Sequence, residues 1–153
     1  MNSSAFKDFI KNNKLCLVGL LTASVCIYIS KRFYFSGGRC KSRARLDGKT
    51  VIITGANTGI GYETAIDLAK RGARIILACR DIKKAVKAAE EIRLKSGNGN
   101  VITEYLDLAS LESVKKFAIK MNEQEERLDI LINNAGIMSC PHWKTSDGLE
   151  VFK

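Results

Sequence analysis

From Leu46 onward the apolar positions follow two alternating periods. Thr50–Thr54 is a short β-branched run and predicts a strand. Ile60 to Arg71 places Ala65, Ile66, Leu68 and Ala69 at helical spacing, and Gly72 ends that helix as a C-terminal glycine does. Arg74–Cys79 predicts a second strand. Asp81 then reads as the N-cap of a helix running to about Lys95, broken by Gly97, Asn98 and Gly99. Val101–Leu106 predicts a third strand, Ser110 with Ser113 and Val114 opens a third helix to about Glu125, and Leu128–Ile132 predicts a fourth strand. Strands and helices alternating at this spacing imply an α/β fold. The sheet is parallel and doubly wound, with helices on both faces and strand order 3-2-1-4, about half of a complete sheet of that kind. No internal repeat or low-complexity tract interrupts it.

The N-terminal pattern differs. Leu15 to Ser30 is free of charge and largely apolar, with Lys14 before it and Lys31 and Arg32 after it. As a helix this stretch reaches about 24 Å, somewhat less than a bilayer core of about 30 Å. Snorkelling of Lys14 and Lys31, with Phe33, Tyr34 and Phe35 at the interface, closes the gap. An uncleaved transmembrane anchor is the reading preferred over two others: a cleaved signal peptide, for which Lys31-Arg32-Phe33 is a poor cleavage site, and a buried helix. The organisation expected is a flank at 1–14, an anchor with its interface at 15–35, a basic linker at 36–45 containing Gly37 and Gly38, and an incomplete α/β domain at 46–153.

Charge supports this division. The net charge of +9 is concentrated at the N-terminus, where the first 45 residues carry nine Lys/Arg and one Asp. A nearly neutral globular part argues against a nucleic-acid partner and for a membrane-flanking cluster. Lys31, Arg32, Arg39, Lys41, Arg43 and Arg45 outnumber Lys7, Lys11 and Lys14 across the apolar segment, which places the globular part in the cytosol. A short span suits a thin membrane, so the endoplasmic reticulum is expected, with another intracellular membrane as the alternative. The five cysteines (16, 26, 40, 79 and 140) form no CxxC pair and accompany a single His, so no metal site is expected and reduced thiols fit a cytosolic location. Cys40, beside the basic cluster, is a weak candidate for S-acylation.

The candidate chemistry begins where the first strand ends. Gly55, Ala56, Asn57, Thr58, Gly59, Ile60 and Gly61 join that strand to the first helix, the layout that cradles a pyrophosphate. Gly55 would permit the tight turn, Gly59 the approach of phosphate oxygens and Gly61 close helix–strand packing. Asn57 and Thr58 can bond within the loop or to ribose and phosphate. After the second strand comes Arg80 and then Asp81. A guanidinium here pairs with a ribose 2′-phosphate, with Lys84 assisting one helical turn on, which favours NADP(H) over NAD(H). The alternative is a solvated Arg80 and an Asp81 that only caps its helix. Asp107 can accept from an adenine amino group with the Leu108 backbone facing the ring, or it can be a turn residue. Asn133, Asn134, Ala135 and Gly136 close the fourth strand, where Asn can tie neighbouring strands and Ala-Gly leaves room for a ribose. His142 and Trp143 follow Pro141. His142 has no nucleophile or carboxylate partner nearby in sequence and reads as a loop residue rather than a general base.

Together Thr54–Gly61, Asp107 and Asn133–Gly136 resemble the short-chain dehydrogenase/reductase family with its Rossmann-type fold. Ala78–Asp81, Met138–Pro141 and the short basic-flanked anchor are similar to its membrane-anchored retinol dehydrogenases, a resemblance covering about residues 15–153. It implies hydride transfer between NADP(H) and a small hydrophobic alcohol or aldehyde, a retinoid or related lipid. It also implies that the glycine loop, Arg80, Asp107 and Asn134–Gly136 form the cofactor half. The family's catalytic Ser and Tyr-x-x-x-Lys have no counterpart here: Tyr28, Tyr34, Tyr62 and Tyr105 all lack a Lys four residues on. The 153 residues are therefore expected to hold an incomplete domain, inactive by itself, with no catalytic residue assigned. They would be either the first part of a longer reductase or a short non-catalytic, membrane-anchored binding protein.

Overall fold

The computed structural model describes residues 13–35, 42–138 and 143–150. Cys40, Cys140 and His142 lie outside the described residues. The chain divides into two compact units, residues 1–42 and 43–153.

In the first unit Lys14–Ser30 is a 17-residue α-helix, α1, and Lys31–Phe35 continue it with π-helical pitch. From residue 18 onward every side chain is exposed, apolar ones included. No helix among the described residues is long and apolar enough to cross a membrane. The segment over which a transmembrane span is expected, 15–35, is helical, and its α-helical pitch ends at Ser30.

The second unit is a four-stranded parallel sheet of order β3-β2-β1-β4. Its elements are β1 (Thr50–Thr54), α2 (Gly59–Lys70), β2 (Arg74–Cys79), α3 (Ile82–Ser96), β3 (Val101–Tyr105), α4 (Leu111–Gln124) and β4 (Ile130–Ile132). The central strands are near-continuous apolar runs because both faces are covered. Val51, Ile53, Ile75, Leu77, Cys79 and Val101 form one face, against Ala65, Ile66 and Ala69 of α2 and Ala85, Ala88, Ala89 and Ile92 of α3. The alanines let both helices lie close to the sheet. Ile52, Ile76 and Ala78 form the other face, against Met121, Val114 and Phe117 of α4. Each fully buried Ile or Leu here stabilises the fold by about 1.5–3 kcal/mol.

The elements end where their chemistry dictates. The Asp81 carboxylate accepts from the Lys84 N–H at 3.1 Å and caps α3, and Gly97 closes that helix in the left-handed region (φ 70°). The expected break at Gly97–Gly99 is also a clasp: the Asn98 amide donates to the carbonyls of Ala69 (2.9 Å) and Ala73 (2.8 Å). Ser110 caps α4. β4 is shorter than the expected Leu128–Ile132. The ladder with β1 starts at Ile130 opposite Val51; just before it the Asp129 N–H donates to the Thr50 carbonyl (3.0 Å), and the Asp129 carboxylate accepts from the Thr50 N–H (2.9 Å), Lys49 Nζ (2.9 Å) and Arg127. That clasp fixes the entry ends of β1 and β4. Arg74 makes two 2.8 Å bonds to Glu125 and ties β2 to the end of α4.

Candidate functional site

The chain steps from β1 to β2 to β3 in one direction and then returns to place β4 on the other side of β1. Ligands of open α/β sheets bind at the carboxyl ends of the strands at such a reversal. Here the four strand ends open into a cleft of about 840 Å³.

β1 ends at Thr54, which is buried at 4% exposure. Its hydroxyl accepts from the Asn134 and Ala135 N–H groups, both at 3.0 Å, and donates to the Ile132 carbonyl at 3.4 Å. The Asn134 amide donates back to the carbonyls of Thr54 (2.9 Å) and Gly55 (3.3 Å). One hydroxyl and one amide thus lock the two strand ends together. Gly55 turns with φ 63°, and a Cβ there would lie 2.9 Å from Ala135 Cα. Gly61 is closed in as well: a Cβ would overlap the Asn134 amide and lie 3.0 Å from Ala56 Cα. Gly59 differs, with φ 64° and open space where a side chain would be.

Thr58 occupies the N-cap of α2, yet its hydroxyl makes no capping bond, and the first turn holds no acidic residue. The leading N–H groups of α2 are therefore available to an anion, which the helix dipole favours. Beyond β2, Asp81 is committed to its own helix: one oxygen caps α3 and the other lies 3.4 Å from Lys84 Nζ. The Lys84 N–H chiefly, helped by the ammonium, holds the Asp81 carboxyl below its ordinary range. Arg80 makes no hydrogen bond or ion pair among the described residues and is exposed. Beyond β3, Asp107 Oδ1 accepts from the Ala109 N–H at 3.0 Å, so Asp107 is a turn residue whose Oδ2 has no hydrogen-bond partner among the described residues. Burial pushes the Cys79 thiol up.

Of the residues singled out by sequence, Gly55, Asn57, Thr58, Ile60, Arg80, Lys84, Asp107, Leu108, Asn134, Ala135 and Gly136 line the one cleft. Ala56 and Gly61 are buried behind it, and Gly59 is exposed at the start of α2. Two contributions escaped the sequence reading. Thr54 has the signature of an ordinary strand residue, and Thr145, Leu149 and Glu150 reach the cleft only through tertiary folding.

The sequence pattern of the short chain dehydrogenase family matches residues 49–149, which contain the whole sheet and its helices. The chain belongs to the short-chain dehydrogenase family. It is 59% identical over 118 residues to human retinol dehydrogenase 13, covering 77% of this chain and 36% of that protein. Human retinol dehydrogenase 12 is 49% identical over 140 residues, 89% of this chain and 44% of that protein. Among solved structures, the Pseudomonas aeruginosa RhlG/NADP active-site complex superposes with a TM-score of 0.57 at 32% identity, covering 64% of this chain and 38% of that one. The chain thus spans well under half the length of these relatives. A nicotinamide dinucleotide is the family's cofactor, and the cleft suits it: an uncapped helix N-terminus for phosphate, an open Gly59, and small residues at Ala135-Gly136.

Proposed function

We propose that this chain is the cofactor-binding part of an NADP(H)-dependent, retinol dehydrogenase-like oxidoreductase. The reaction is hydride transfer between the nicotinamide and a retinoid or lipid alcohol/aldehyde pair. The observation that carries the NADP(H) preference is the contrast between Arg80 and Asp81. The acidic residue that would bind a 2′-hydroxyl is occupied as a helix cap, while the neighbouring guanidinium, at the rim of the cleft, is unpaired among the described residues. The substrate class follows from the similarity to the retinol dehydrogenases.

In this reading the glycine loop and the α2 N-terminus bind the pyrophosphate, Arg80 pairs with the 2′-phosphate with Lys84 nearby, and Asp107–Leu108 meet the adenine. Asn134–Gly136 border the nicotinamide ribose. The cofactor supplies the hydride, and the chain's own residues bind and orient it. The 153 residues contain no Tyr-x-x-x-Lys, and in this reading the stretch by itself binds cofactor without turnover.

We also place α1 in the endoplasmic reticulum membrane, with the second unit facing the cytosol. Support comes from its exposed apolar surface, the self-satisfied hydroxyls of Thr22 (to the Gly19 carbonyl, 2.9 Å) and Ser24 (to the Leu20 carbonyl, 2.8 Å), and the aromatic turn Phe33–Phe35. Carbonate extraction of the expressed chain should leave it in the membrane pellet, and release to the supernatant refutes the anchor.

The decisive experiment is a titration with NADPH and NADH. NADPH should bind more tightly, and Arg80→Ala should weaken NADPH about 10- to 100-fold while leaving NADH unchanged, the size of a lost charge-assisted bond. Equal losses for the two cofactors would refute the assignment.

A further inference from the structure

The turn at residues 145–149 lies far from the glycine loop in sequence yet supplies part of the cleft lining. It is internally closed: the Thr145 N–H donates to the Leu149 carbonyl (2.8 Å), the Gly148 N–H to the Thr145 carbonyl (3.0 Å) and the Leu149 N–H to Thr145 Oγ1 (3.1 Å). Gly148 takes the left-handed conformation this closure needs (φ 78°). The turn is fastened to the rest of the domain at two points. Asp147 Oδ2 accepts from the Leu111 N–H at 2.8 Å, and Ser146 Oγ donates to the Ala109 carbonyl at 3.4 Å. Both partners belong to the stretch that continues from Asp107 and Leu108 into α4.

The Asp147 bond is not needed to cap α4. Ser110 already accepts from the Ser113 N–H, and Glu112 supplies a first-turn carboxylate. Its consequence is positional. It brings Thr145, Leu149 and Glu150 into the lining that Asp107, Leu108 and Ala109 share, and Leu108 and Leu149 are both half-exposed apolar side chains within that lining. A purine needs such apolar surface beside its polar edge contacts.

We propose that Asp147 is a positioning residue for the adenosine end of the bound dinucleotide: by holding the 145–149 turn against Leu111, it sets the wall on which the purine rests. This rests on reading the cleft as the dinucleotide site. Asp147 does not touch the cofactor; it acts through Thr145 and Leu149.

The test uses the whole 153-residue chain, with 5′-AMP and 2′,5′-ADP as probes of the adenosine end and thermal unfolding alongside. Asp147→Ala should weaken both nucleotides about five- to tenfold, the effect of one lost hydrogen bond. Their affinity ratio should hold, because Arg80 is untouched. Asp147→Asn keeps an acceptor oxygen and should recover most of the affinity. Ser110→Ala, which weakens the same helix without touching the turn, should lower the melting temperature and leave both affinities unchanged. Unaltered binding in Asp147→Ala, an equal loss in Ser110→Ala, or a changed nucleotide ratio each overturns the proposal. Wild-type chain that is folded yet binds neither nucleotide overturns the dinucleotide reading itself, whereas wild-type binding that Asp147→Ala leaves intact overturns only the role of Asp147.

Discussion

Thr54→Val is the most informative single change in the sheet, because it alters one atom at the joint between the two strand ends. The side chains are nearly isosteric, so no cavity forms and no strand propensity is lost. What disappears is a hydroxyl with three partners. The Ala135 N–H loses its acceptor. A partly buried donor left unmatched costs about 1–3 kcal/mol. The Asn134 N–H keeps a second acceptor in the Ile132 carbonyl at 3.0 Å, so its loss is nearer the net value of one bond, about 0.5–1.5 kcal/mol. The 3.4 Å donation to Ile132 is too long to add much. The added methyl returns up to about 0.8 kcal/mol through burial. The net destabilisation is then about 1–3 kcal/mol, a large share of what a small domain has. Urea unfolding followed by circular dichroism measures it, with the slope checked for an unchanged denatured state. Thr54→Ser serves as the control. It keeps the hydroxyl and gives up one methyl, so it should cost about 1 kcal/mol or less. A Val variant within 0.5 kcal/mol of wild type, or a Ser variant that falls as far as Val, would refute the hydroxyl's role.

Three further outcomes follow from the same geometry. Gly55→Ala combines a positive φ with a 2.9 Å approach to Ala135; it should cost about 2 kcal/mol or more by urea titration and abolish nucleotide binding by fluorescence, and near-native values for both would contradict the turn assignment. Gly59→Ala meets no neighbour but shares the positive φ; its strain is about 1–2 kcal/mol, and it should lose dinucleotide affinity beyond that of free 2′,5′-ADP if phosphate passes over it. Asp129 is held below its ordinary value first by Arg127, then by the Thr50 N–H and Lys49. A depressed folded value means its contribution is present above the unfolded value of about 3.9 and is lost as pH falls from there toward the folded one. Urea midpoints should therefore drop below about pH 4, and Asp129→Asn should flatten that part of the profile; an unchanged acid slope would remove Asp129 from the account.

How far the sequence carried depends on where each residue's partners lie. β1, β2 and their helices were legible because apolar period and caps are local: Asp81 and Ser110 each bond to a backbone N–H three residues on, and Gly72 and Gly97 sit two residues and one residue past the helices they close. The strand order was legible because βαβ connections leave few topologies. The glycine loop was legible because its three glycines need backbone freedom or a close neighbour, which no other residue supplies. Long-range partners left no comparable trace. Asp129 read as part of a strand because nothing near it in sequence announces that Thr50, 79 residues away, will donate to it. Asn98 read as a loop-breaker because its acceptors, Ala69 at the end of α2 and Ala73 just before β2, lie 25 to 29 residues earlier.

The same distinction separates the two sides of the cleft. One side is written in consecutive residues, from Gly55 to Gly61, and each carries a local constraint that sequence displays. The other is assembled from Asp107–Ala109 and the 145–149 turn, joined by an Asp147–Leu111 bond across 36 residues. A glycine triplet can hold phosphate wherever a strand feeds a helix, since the helix supplies the donors. A purine wall needs two separate segments fixed at a set spacing, and only a tertiary bond sets that. Cofactor class is therefore legible from one peptide, whereas the fit of the adenosine end is decided by residues such as Asp147 that a linear reading passes over as an ordinary turn.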